Sequence, residues 1–309
     1  MTEFSRRDVM LAALGGVLPA FARAADAPAS PLLGALRAIT FTAPDVDLVA
    51  KAWTEFMGYR LLAKTKVSRR LARSWGAPDL AGRRIIILGP DSGENMVLRY
   101  VEQPTPEGLD LSETFGWRMA EFTVQDSVAL YERLKDSPFK VPRPPGTVPT
   151  FPYLRPLGAT GPAGERLALT WITEKRPDLA EAKSFVGRCF MAVQTAPDLP
   201  GSLEFFKNTF GRPRSPIRRL PTTSLSVITL EDGSKIEVDQ HKPGGRPRER
   251  VGAGLPPGLA IASFECRDLS KVQSSLLADP VRSPILPFEG KDVATLQGPA
   301  GELIELIGV

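Results

Sequence analysis

Four times along the chain, a run of alternating apolar and small residues leads into an aspartate and then into a helix-like segment. The runs are Ala38-Ile39-Thr40-Phe41-Thr42-Ala43-Pro44-Asp45, Met119-Ala120-Glu121-Phe122-Thr123-Val124-Gln125-Asp126, Met191-Ala192-Val193-Gln194-Thr195-Ala196-Pro197-Asp198 and Ile261-Ala262-Ser263-Phe264-Glu265-Cys266-Arg267-Asp268. Alternation with period two predicts a strand, and the aspartate stands where its carboxylate can cap the helix that follows. The four aspartates are 81, 72 and 70 residues apart. That spacing is too long for a usual solenoid unit and suits a small βαβββ module, so the chain is expected to be an α+β protein made of four such modules.

The modules alternate in kind. In the first and third, a glycine falls 13 residues after the aspartate, at Gly58 and Gly211, where it suits a left-handed helix C-terminus. In the second and fourth, a proline falls 12 residues after it, at Pro138 and Pro280, and stops the helix by another route. Each module then closes on a Gly-containing turn and a last strand. The turns are Gly89-Pro90-Asp91-Ser92-Gly93-Glu94, Gly161-Pro162-Ala163-Gly164-Glu165, Glu231-Asp232-Gly233-Ser234 and Gly298-Pro299-Ala300-Gly301-Glu302. The order A-B-A-B predicts two homologous domains, residues 36–173 from modules one and two and residues 187–309 from modules three and four. Residues 25–35 lead into the first, and residues 174–186, with Pro177, link the two.

The chemistry open to this chain is narrow. It has one histidine, His241, and two cysteines, Cys189 and Cys266, so zinc sites of Cys and His and two-histidine iron sites lack their ligands. A serine or cysteine triad would have to use that one histidine. The net charge is only +4, from 39 basic and 35 acidic residues, which argues against nucleic acid as the main partner. Residues 1–24 read as a twin-arginine export signal: Arg6-Arg7, a short apolar run from Val9 to Phe21, then Ala22-Arg23-Ala24. The run is too short to span a bilayer, so the expected mature protein is periplasmic, without a membrane partner. Cys189 and Cys266 are expected as small buried hydrophobes. The segments Lys140–Thr147 and Lys242–Arg250 are expected as loops, and the basic stretch Arg212–Arg219 as a solvated hairpin.

The four modules, with Trp75-Gly76-Ala77-Pro78-Asp79-Leu80-Ala81-Gly82 between the second and third strands of the first, resemble the vicinal oxygen chelate superfamily. Glyoxalase I, bleomycin-resistance proteins, fosfomycin-resistance enzymes and extradiol dioxygenases share that architecture. The resemblance runs from about Leu36 to Val309 and implies two glyoxalase-like domains, each a cupped sheet of two modules around a metal. It implies ligands seven residues before each aspartate, which here are Ala38, Met119, Met191 and Ile261. It also implies ligands four residues after each turn glycine, which here are Val97, Ala168, Glu237 and Glu305. No cofactor is therefore expected, beyond a weakly held divalent ion at Glu237 and Glu305.

On that pairing, Glu237 and Glu305 share the C-terminal cup as general acid and base, with Asp239 and Glu265 on the same strand faces and His241 near the mouth. The N-terminal cup would hold Thr40, Arg99, Glu121 and Thr170, with Arg99 gripping an anionic substrate and Glu121 as base, or the two locked in a salt bridge. The expected function is an exported enzyme acting on a small aromatic or oxygenated molecule by lyase or isomerase chemistry. The alternatives are a non-catalytic small-molecule binder and a divalent-metal dioxygenase. The sequence does not set the oligomeric state.

Overall fold

The computed structural model describes residues 30–242 and 244–309; the expected signal at 1–24 lies outside the described residues. All four modules form. Module one is β1 (Leu33–Ala43), α1 (Val46–Phe56), β2 (Arg60–Lys66), α2 (Arg69–Ser74), β3 (Arg84–Gly89) and β4 (Val97–Glu102). Module two is β5 (Gly116–Val124), α3 (Ser127–Leu134), β6 (Leu154–Thr160) and β7 (Arg166–Ile172). Module three is β8 (Val186–Thr195), α4 (Leu199–Phe210), β9 (Arg218–Arg219), β10 (Thr223–Thr229) and β11 (Lys235–His241). Module four is β12 (Leu259–Cys266), a 3₁₀ segment at Leu269–Ser275, β13 (Val281–Arg282), β14 (Asp292–Gln297) and β15 (Leu303–Gly308).

The aspartates act as the alternation predicts. Asp45 accepts from the backbone of Asp47 and Leu48, and Asp126 from Val128 and Ala129, so two of each helix's orphan N–H groups are satisfied. Asp268 caps only a 3₁₀ segment, so module four lacks the full helix of its siblings. Gly211 closes α4 in the left-handed region at φ 70°, a conformation that excludes most side chains.

The modules pair differently from the A-B-A-B expectation. Modules one and four form an eight-stranded sheet in the order β13-β14-β15-β12-β1-β4-β3-β2. Modules two and three form a seven-stranded sheet in the order β6-β7-β5-β8-β11-β10-β9. The seams are antiparallel pairings of first strands, β1 with β12 and β5 with β8. The cups therefore belong to modules one and four and to modules two and three, and the linker at 174–186 joins two modules of one sheet. Away from the cups, both sheets and α1, α3 and α4 contribute to one continuous core, with Phe41, Trp53, Tyr100, Trp117, Phe122, Phe206, Phe210 and Phe264 fully or almost fully buried. Cys189 and Cys266 are buried free thiols, as expected. Arg212 departs from the solvated-hairpin expectation: it is buried, and its guanidinium donates to the Leu33 carbonyl and to Glu231.

Candidate functional site

Strand register identifies equivalent positions in the four modules. Five residues before each aspartate stand Thr40, Glu121, Val193 and Ser263, and their partners on the last strands are Arg99, Ala168, Glu237 and Glu305. Arg99, rather than Val97, is thus the counterpart of the two glutamates. The turn of module one carries two extra residues between Gly93 and this position, which shifts the count made from the glycine.

In the one–four cup, this arrangement closes on itself. The Arg99 guanidinium donates through Nε to Thr40 Oγ1 (2.8 Å) and through Nη2 to Ser263 Oγ (2.8 Å) and Glu305 Oε2 (2.6 Å). Ser263 Oγ donates to Glu305 Oε2 at 2.7 Å, and the Trp75 indole donates to Glu305 Oε1 at 2.7 Å. Trp75 follows the short helix α2, which Ser68 caps, and its ring and that of Phe288 lie 5.4 and 5.5 Å from the guanidinium carbon. Leu71, Ile85, Ile87, Ile261, Ile285 and Leu303 fill the rest. Arg99 and Glu305 are both 0% exposed, so this is a buried ion pair with its remaining valences met. It replaces the expected Arg99–Glu121 salt bridge, and it takes Glu305 out of a shared cup with Glu237.

The two–three cup has the opposite character. Ala168 stands where the other cup has its arginine, so no cation reaches across to Glu237 from that position. Glu237 is 0% exposed, and neither carboxyl oxygen has a hydrogen-bond partner among the described residues. Burial first, then Asp239 and Glu121 nearby, raise its pKa well above the usual carboxylate range, while Arg118 opposes them. Glu121 accepts from Thr170 Oγ1 at 2.5 Å, and burial pushes its pKa up to about 8 against the pull of Thr170 and Lys235. Burial in turn lowers the pKa of Lys235, with Asp178 and Glu121 acting the other way. Beside these groups Met119, Ala168, Phe190, Met191 and Val193 form an apolar wall against Ala180 of the linker.

The expected site residues thus divide. Glu121, Thr170, Glu237, Asp239 and His241 belong to the two–three sheet, and Thr40, Arg99, Glu265 and Glu305 to the one–four sheet. Glu265 sits apart from the acidic group, ion-paired to Arg37 at 2.7 Å, because its strand lies in the other sheet. His241 is the last residue of β11: Nε2 lies 2.5 Å from Arg118 Nη1 and 3.7 Å from Asp239, and Nδ1 lies 3.0 Å from Thr223 Oγ1. Thr170 and Thr123 also line a surface cleft of about 300 Å³, walled by Arg176, Leu179 and Glu181, which borders the cup at Glu121. Lys235 and Arg118 were not singled out in the sequence. The only signal for Lys235 was its place two residues before Glu237 on an alternating strand.

No protein-family profile and no curated protein sequence matches the chain. Among solved structures, glyoxalase I from Zea mays matches with a TM-score of 0.60 at 18% identity, covering 89% of this chain and 92% of its own. A putative dioxygenase from Bacillus subtilis matches with a TM-score of 0.61 at 11% identity, covering 90% and 86%. The fold is glyoxalase-like. At these identities the likeness extends to the arrangement of paired modules, and chemistry must be argued from the side chains.

A metal held between paired modules does not fit the side chains of this glyoxalase-like chain. In the one–four cup, the Arg99 guanidinium already neutralises the one carboxylate. In the two–three cup, Glu121 and Glu237 hold their protons strongly, and no group of three His, Cys, Asp or Glu side chains among the described residues is arranged to hold an ion. Glu237 and Glu305 lie in different sheets and cannot share a divalent ion.

Proposed function

We propose that the two–three cup is the working site, and that it carries out acid–base chemistry of the isomerase or lyase kind on a small oxygenated organic molecule. The observation that carries this is Glu237: a buried carboxyl with no partner where the sister cup has a complete ion pair. An unsatisfied buried polar group costs about 1–3 kcal/mol and calls for a functional explanation. Glu237, protonated at neutral pH, supplies the general acid for a substrate oxygen. Glu121, with a pKa of about 8, is poised to take a proton from carbon near neutral pH. In an isomerisation, the carbon proton passes to Glu121 while the Glu237 proton passes to oxygen, and reversal at the neighbouring carbon restores both groups. Lys235 balances charge on Glu121 as it ionises. The apolar wall of Met119, Phe190, Met191 and Val193 suits an aromatic body. That wall also favours a second role, retention of a ligand without turnover. The paired arginines and the short apolar run before Ala22-Arg23-Ala24 support export to the periplasm.

The test is incubation with small-molecule extract of the native host in D₂O, followed by mass spectrometry for new products or incorporated deuterium. Glu237→Gln and Glu121→Gln should each lower the rate by about 10²–10⁴-fold. Full activity in Glu237→Gln would overturn the assignment. Ligand retained without turnover, and lost in Glu237→Gln, would support the binding role at the same cup.

A further inference from the structure

Outside both cups, the segment after β11 borders a cleft of about 450 Å³ at the starts of β5 and β12. Phe115, Trp117, Leu259, Pro247, Pro256 and Pro299 give it apolar walls, and Arg248 and Arg250 reach into it. Arg248 is held in place by neutral acceptors: Nε donates to Thr114 Oγ1 at 2.9 Å, and Nη1 to the carbonyls of Leu259 (3.0 Å) and Pro257 (3.4 Å). Its Nη2 is buried and has no hydrogen-bond partner among the described residues. Arg250 donates to the carbonyls of Gly76 (2.8 Å) and Gly254 (3.4 Å).

This treatment differs from that of other partly buried arginines in the chain. Arg37, Arg188 and Arg212 all meet carboxylates, on Glu265, Asp232 and Glu231. For Arg248 and Arg250, burial alone acts on the guanidinium, lowering both pKa values, that of Arg248 to about 10; no carboxylate offsets it. Glu302 lines the same cleft, but its Oε2 accepts from the Ala300 N–H at 2.9 Å, and burial raises its pKa to about 7, so it is a poor counter-ion. A desolvated guanidinium with one free N–H edge facing a cavity lacks a negative charge that a ligand can bring.

We propose that this cleft binds a small organic carboxylate, its anionic end on Arg248 Nη2 beside Arg250 and its apolar body against Phe115, Trp117 and Leu259. The site is separate from the two–three cup and stands whether or not that cup is catalytic.

Isothermal titration of the mature chain with benzoate tests it. Saturable one-to-one binding is expected with Kd at or below about 1 mM. Arg248→Gln should weaken it at least about tenfold, and the neutral analogue benzamide should bind weaker by a similar factor. Gln297, exposed on the cleft rim, provides a variant that leaves Arg248's own contacts intact: Gln297→Glu should weaken benzoate several-fold by charge repulsion. If Arg248→Gln fails to fold, Gln297→Glu and benzamide decide the question. No saturation by about 20 mM, or a benzoate isotherm unchanged in both variants, overturns the site. Binding that survives them and disappears in Glu237→Gln would place benzoate in the cup, and overturns it equally.

Discussion

Replacing Glu121 by glutamine should change how stability depends on pH in a way that its buried position fixes. In the folded chain burial holds the Glu121 proton up to about pH 8, whereas an exposed glutamate titrates near 4.5. Below 4.5 the carboxyl is protonated in both states and the native fold has its full stability. Between 4.5 and 8 the unfolded chain releases the proton and the native chain keeps it, so stability falls as pH rises; above about 8 both are ionised and the loss levels off. With each pH unit worth about 1.4 kcal/mol, wild type loses about 3–4 kcal/mol from this residue between pH 5 and pH 8. Glutamine is neutral throughout, has nearly the same shape and can still accept from Thr170. The unfolding free energy of Glu121→Gln minus that of wild type should therefore rise by about 3–4 kcal/mol over the same interval. Glu165, Glu237 and Glu302 also have raised pKa values and give the same sign, but they are common to both proteins and largely cancel in the difference. Urea titrations at pH 5, 6, 7 and 8, read by tryptophan fluorescence, measure it. A difference that stays flat within about 0.5 kcal/mol would mean that Glu121 is ionised in the native cup, with Lys235 as its counter-ion, and would refute its raised pKa.

Removing one partner from the one–four cup should be severe: Arg99→Met strands the Glu305 carboxylate and should cost about 3–5 kcal/mol, whereas Arg99→Met combined with Glu305→Met should recover most of that. Urea unfolding of the three variants reads the cycle, and a single variant as mild as the double would show that the pair is not a closed unit. Neither change should alter turnover at the two–three cup by more than a few-fold, measured as kcat. For export, Arg6→Lys with Arg7→Lys should leave precursor in the cytoplasm, while wild type yields mature protein beginning near Ala25; immunoblots of cell fractions decide it, and undiminished export refutes the signal.

The modules were legible because each carries its own local grammar. The alternating strand, the capping aspartate and the closing glycine lie within a few residues of one another, and their geometry is set locally. Which modules share a sheet was not legible. Every first strand offers the same kind of antiparallel edge, so β1 could pair with β5 or with β12 on pattern alone, and the choice rests on long-range packing. That one ambiguity moved Arg99 from Glu121 to Glu305 and separated Glu305 from Glu237. The position of Arg99 itself was missed for a smaller reason: two additional residues in one turn carry the register past the expected valine. Trp75, which completes the ion pair, gave no chemical signal, since its role depends on a partner 230 residues away.

The nesting of one pair of modules inside the other has a consequence for how the chain assembles during synthesis. The inner sheet is encoded by one continuous stretch from β5 to β11, so all its strands are available once His241 has left the ribosome. The outer sheet is different: β1 is among the first segments made, yet its neighbour β12 begins only at Leu259. Until then, β1 and β4 have an open edge and an unneutralised arginine in a half-built cup. Contacts this distant are entropically slow to form and leave aggregation-prone edges exposed meanwhile. The Arg99–Glu305 bond, spanning 206 residues, is made only when the chain is all but complete. For a protein that must be folded before it crosses a membrane, that bond would be among the last to report that translation has finished.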